Sequence, residues 1–142
     1  TFGSLPTYAV EIYLGENKAS EAIYVAKEAV ELDQNVARAH YHLGLIYALA
    51  GKEYWVKAEE ELAKSLDMGF FWSPIRAHDF DNMKVIYKKM LSQYIVEENR
   101  ERALAIAKSY RQVVNEEQLK DELDVIIDLV SKDLWKILKN SL

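Results

Sequence analysis

The stretch AHYHLGLIYALAGKEYWVKAEEELAKSL, residues 39–66, decides the fold. Its apolar residues Ala39, Leu43, Ile46, Tyr47 and Ala50 stand at offsets 0, 4, 7, 8 and 11, one stripe of a helix with 3.6 residues per turn. Gly51 follows as a C-terminal stop. A second stripe, Trp55, Ala58, Leu62 and Leu66, runs to Gly69. The interval 51–54 leaves room only for a tight turn, so the spacing predicts two antiparallel helices.

The same two-helix pattern occurs on both sides. Upstream, Ala9, Val10, Tyr13 and Leu14 start a stripe, Gly15 to Lys18 interrupt it, and Ala22, Ala26, Ala29 and Val30 form the next. Ser4 and Pro6 suit the start of the first of these helices. Downstream, Tyr87, Met90, Leu91 and Tyr94 precede a break at Glu97 to Arg100, and Ala103, Ile106, Ala107 and Tyr110 follow. Tyr13 lies nine residues before Ala22, and Tyr94 nine before Ala103, while Tyr47 lies eleven before Ala58. The middle turn therefore carries two extra residues. Tyr13 to Tyr47 is a period of 34.

These spacings, with Leu43-Gly44 just before Tyr47, resemble the tetratricopeptide repeat. The resemblance covers units at about 3–36, 37–72 and 84–117. It implies an all-α protein, an α-solenoid of antiparallel helix pairs forming a single domain. Leu43, Gly44, Tyr47, Gly51, Ala58 and Leu66 carry it in the middle unit. The first unit has Ala9-Val10, and the third Met90-Leu91, where Leu-Gly is usual. Tyr110 replaces a small residue, and the closing Pro is absent throughout. Gly44, Ala22, Ala58 and Ala103 are expected to be small because two helix backbones meet there.

The interval 73–83 interrupts the period. Ser73-Pro74 suits a short helical start, and Asp79 or Asp81 is a candidate cap for the next helix. Phe70, Phe71 and Trp72 before it either plug the gap between units or form an aromatic ledge. From about 116 to 140 the pattern predicts one long amphipathic helix, about 37 Å at 1.5 Å per residue, that caps the solenoid. Its apolar face is Leu119, Leu123, Ile126, Ile127, Val130, Leu134, Ile137 and Leu138. Val125, Leu129 and Trp135 lie off that face and are more apolar than a plain cap needs; the alternative to simple capping is a second contact there, by self-association or with another domain of a longer protein.

Composition bounds the chemistry. The 142 residues carry 18 Lys and Arg against 23 Asp and Glu, a formal charge of −5, which disfavours nonspecific nucleic-acid binding. Five Gly and two Pro are too few for a turn-rich β fold. The absence of Cys excludes disulfides, cysteine metal sites and a thiol nucleophile, and leaves the compartment open. No apolar run approaches the ~18 residues of a membrane span. Thr1 in place of an initiating Met leads us to expect a piece of a longer protein.

No catalytic template fits, so no enzyme activity, cofactor or metal is expected. His40 and His42 are two apart on a helix and point in different directions. His78, Asp79 and Asp81 lack the Gly and downstream Glu of a calcium loop. Glu59, Glu60 and Glu61 fan around a helix. No Gly-rich phosphate loop and no Gly-x-Ser-x-Gly elbow occurs.

The resemblance implies a concave groove lined by the first helix of each unit, holding a peptide or partner protein. Its lining maps to Thr7 and Glu11 in the first unit, to Arg38, Tyr41, His42 and Leu45 in the second, and to Lys88, Lys89 and Ser92 in the third. Arg38, Tyr41 and Leu45 make an i, i+3, i+7 line of hot-spot composition, or else Tyr41 and Leu45 pack against a neighbouring helix. The family's carboxylate clamp for chaperone tails is not matched. Thr7, Glu11, His42, Val85 and Lys89 stand at its positions, and only Lys89 is a fixed cation. The expected function is a noncatalytic protein–protein interaction scaffold. The alternative is an accessory domain of a larger enzyme or membrane protein, for example a glycosyltransferase or polysaccharide polymerase.

Overall fold

The computed structural model describes residues 18–68 and 77–141, without the side chains of 77–80. Every regular element among them is helical: α1 (Ala19–Leu32), α2 (Ala37–Ala50), a 3-10 turn (Lys52–Tyr54), α3 (Trp55–Asp67), α4 (Ala77–Val96), α5 (Arg100–Val113), α6 (Glu117–Ser131) and α7 (Trp135–Asn140). By contact the chain falls into two compact units, Thr1–Arg76 and Ala77–Leu142. Length alone suggests one domain. The first expected helix, residues 1–17, and the aromatic run 70–72 lie outside the described residues.

In the first unit α1 packs on α2, and α2 on α3. Two extra residues in the α2–α3 connection are taken up by the 3-10 turn, whose Tyr54 stacks on Tyr47 at 5.7 Å between ring centroids. The small residues sit where the expectation places them. Ala22 and Ala58 are fully buried. A Cβ added to Gly44 would lie 2.8 Å from Leu62 Cγ and 3.1 Å from the Ala58 carbonyl oxygen, too close for either without displacement. The indole N–H of Trp55 donates to the Ala48 carbonyl at 3.0 Å, satisfying a group near the end of α2 that has no partner within the helix.

In the second unit α4 packs on α5, α5 on α6, and α7 on both α6 and α4. Its core is Met83, Ile86, Tyr87, Met90, Leu91, Tyr94 and Ile95 against Ala103, Ile106, Ala107 and Tyr110, with Leu123, Val130 and Leu138 closing it. Tyr110, which replaces a small residue of the repeat pattern, stacks on Tyr87 at 6.2 Å. Helix α4 already runs at Ala77, so most of the stretch expected to interrupt the period is helical. Asp79 and Asp81 thus lie within α4 and not ahead of it.

The single long tail helix is corrected: it is two helices. At Asp133 φ is +55°, and the chain reverses there. The Leu134 N–H donates to the Leu129 carbonyl at 3.0 Å and the Asp133 N–H to Val130 at 3.1 Å, the paired bonds of a Schellman ending. Helix α4 ends the same way. Glu98 has φ +55°, Asn99 N–H bonds Tyr94 and Glu98 N–H bonds Ile95. Asn99 then caps α5, accepting from the Arg102 N–H at 3.2 Å. Because the tail bends, Leu134 and Ile137 leave the buried face and are exposed, while Leu138 returns to the core.

Candidate functional site

The residues expected to line a groove separate into three groups. Thr7 and Glu11 lie outside the described residues. Arg38 is half-buried, and Tyr41, His42 and Leu45 retain only 0%, 1% and 2% of their surface. They are packing residues, edge-on in the case of the Tyr41 and His42 rings at 5.0 Å, and present no open hot spot. Lys88 and Lys89 are exposed and Ser92 is half-buried, all on the outer side of α4. The signal for the burial was present in the sequence. Residues 39–48 are apolar or aromatic on every side of the helix apart from two His, and a helix that is apolar all round is buried all round.

His40 and His42 have separate surroundings. His40 Nε2 donates to the Gln34 carbonyl at 2.9 Å, and its Nδ1 lies 2.6 Å from Glu61 Oε2. A carbonyl only accepts, so Nε2 carries a hydrogen, and Nδ1 is left to face the Glu61 carboxyl. This pair fastens the α1–α2 turn to α3. Lys64 reaches the other Glu61 oxygen at 3.3 Å. An open depression of about 290 Å³ beside it is lined by Gln34, His40, Lys64, Asp67 and Met68. Among the described residues no three His, Asp or Glu side chains converge as metal ligands.

The open apolar site lies in the second unit. A cavity of about 350 Å³ is lined by Ile95 of α4, by Glu122, Val125, Ile126 and Leu129 of α6, and by Leu138 and Ser141 at α7. That volume falls in the range of binding clefts. The α6 members are spaced i, i+3, i+4 and i+7, one face of a helix over about 10 Å. A different face of α6, with Leu123 and Val130, enters the core, and a third carries Asp124, which holds Arg111 through two bonds at 2.6 and 3.1 Å. The cavity exists because the tail bends. α7 turns back toward α4, and Lys139 meets Glu98 at 3.6 Å while Arg100 meets Asp133 at 3.9 Å. Val125 is 57% exposed at the cavity and Ile137 of α7 is 52% exposed. Val125 and Leu129 are the residues the sequence marks as surplus to the tail's packing stripe; Trp135, marked with them, does not line the cavity.

Glu122 is the one charged residue in this lining. The cavity can therefore hold an apolar group and orient one cation or hydrogen-bond donor beside it. No helix among the described residues is long and apolar enough to cross a membrane. No protein-family model matches the chain, and no curated protein or solved structure matches it either.

Proposed function

We propose that this chain is a noncatalytic interaction module, built as stacked antiparallel helix pairs on a plan similar to the tetratricopeptide repeat, that docks a partner protein or peptide. The plan is supported by the sequential packing of α1 to α3 and of α4 to α6, and by the close approach at Gly44 and Ala58. The docking role rests on one observation. The α4–α6–α7 cavity is apolar and bordered by an exposed Val125, whereas the groove positions on α2 are filled. A concave apolar site with one polar group at its edge is the kind of place where a ligand or a partner side chain seats. On this reading the docking surface lies at this cavity of the second unit.

The test is affinity capture with the wild-type chain and with Val125→Asp, a change at an exposed position, with a thermal melt to check that the variant is folded. At least one captured protein should disappear with the variant. Identical captured sets from both would remove the docking role from this cavity.

A further inference from the structure

We propose that the occupant of the α4–α6–α7 cavity is the outer face of α4 from a second copy of this chain; this rests on the reading of that cavity as a protein-docking site. The argument is complementarity between two surfaces of one unit. Helix α6 carries Glu117, Asp121, Glu122, Asp124 and Asp128 against a single Lys120, a net of −4. Over the whole of α4, Lys84, Lys88 and Lys89 are offset by Asp79 and Asp81, a net of +1, and Lys84 pairs with Asp81 at 3.2 Å, so the exposed positive charge of its outer face is that of Lys88 and Lys89. Two cavities facing each other would set one acidic helix against another, an unfavourable arrangement. The outer face of α4 has the opposite character.

That face is also shaped for an apolar cleft. Val85, Lys88, Lys89, Ser92 and Val96 stand at i, i+3, i+4, i+7 and i+11, away from the core stripe of Met83, Tyr87, Met90 and Tyr94. Val85 is 66% exposed and Val96 53% exposed, so two aliphatic groups bracket two exposed lysines on one line. Seated on the cavity, a valine meets Val125, Ile126 and Leu129, and a lysine meets Glu122, the one charge in the lining. Donor and acceptor surfaces differ, so each copy carries one of each. The contact therefore joins unlike faces head to tail, and it builds a ring or an open chain of copies.

Sedimentation equilibrium of the full chain tests this. The wild-type mass should rise with concentration, and the association should weaken with added salt, since the lysine–glutamate contacts are screened. Val125→Asp damages the acceptor, and the double variant Lys88→Glu/Lys89→Glu damages the donor; each alone should associate about tenfold or more weakly. All these positions are exposed, so circular dichroism melts should not move. The decisive arm is mixing the two variants. One supplies an intact α4 face and the other an intact cavity, so association should return. A wild-type chain that stays monomeric, or variants that fail to complement, overturns the proposal. If the chain is monomeric but Val125→Asp still loses a captured protein, the docking site stands and its occupant is a different protein. If neither effect is seen, both readings fall.

Discussion

At the scale of single residues, the fold depends on where side chains are missing. Gly44 and Ala58 let α2 and α3 approach until Leu62 fills the remaining space. Ala58→Leu should cost about 1–3 kcal/mol by overpacking. Urea unfolding measures it, and a parent-like midpoint would mean that the two helices do not touch there. His40 acts the other way, by what it holds. His40→Ala leaves the Glu61 carboxyl and the Gln34 carbonyl without their bonds to the ring, an expected loss of about 1–3 kcal/mol. Glu61→Gln, whose amide can still bond the ring, should lose less. Equal losses would show that the short bond carries no special weight. The small residues were legible in the sequence because their spacing repeats. The His40–Glu61 pair was not, since the partners are 21 residues apart and no periodicity links them. For Tyr41 and Leu45 the sequence leaves two readings, an open hot spot or packing against a neighbouring helix, and their burial agrees with the second.

At the scale of elements, the helices of α2 to α5 follow the period closely, and the tail does not. An unbroken amphipathic pattern from 116 to 140 conceals a reversal at Asp133. Glycine is the usual residue at such a left-handed position, and neither Glu98 nor Asp133 announces one. The break is favoured instead by its surroundings: Leu134 bonds back to Leu129, and α7 reaches α4 through Leu138 and Lys139. Asp133→Gly removes the penalty for a side chain at positive φ and should stabilise the protein by about 0.5–1 kcal/mol. It also loses the exposed contact with Arg100 at 3.9 Å, which contributes little. A lower unfolding midpoint for Asp133→Gly would show that the ion pair, not the backbone, holds the bend.

At the scale of the whole molecule, Tyr47 in the first unit and Tyr110 in the second make the fold sensitive to alkali. Burial, reinforced by Glu61, Tyr54 and Glu60, raises the pKa of Tyr47. Burial also raises that of Tyr110, with Glu116 and Glu122 adding to it and Lys84 opposing. A proton held more tightly in the folded state than in the unfolded state stabilises the fold at pH values below the unfolded pKa, near 10. That contribution disappears as pH rises from there through the folded value. Melting temperature should therefore hold below about pH 10 and fall above it. Ultraviolet titration should find these two phenolates forming above the ordinary tyrosine value near 10. Simultaneous ionisation of all tyrosines near the ordinary value would contradict the burial of both rings.

Helix α2 is covered on all sides from Ala39 to Ala48, and this has a consequence during synthesis. The ribosome releases α2 before α3, so for the time needed to make Trp55 to Asp67 this greasy rod lacks the cover that Leu62 and Leu66 bring. A nascent chain stalled when α2 has left the exit tunnel but α3 has not should therefore crosslink to a holdase chaperone more strongly than one stalled after both have emerged. The helix that gives the finished protein no surface for a partner would be, for some seconds of its life, its most adhesive segment.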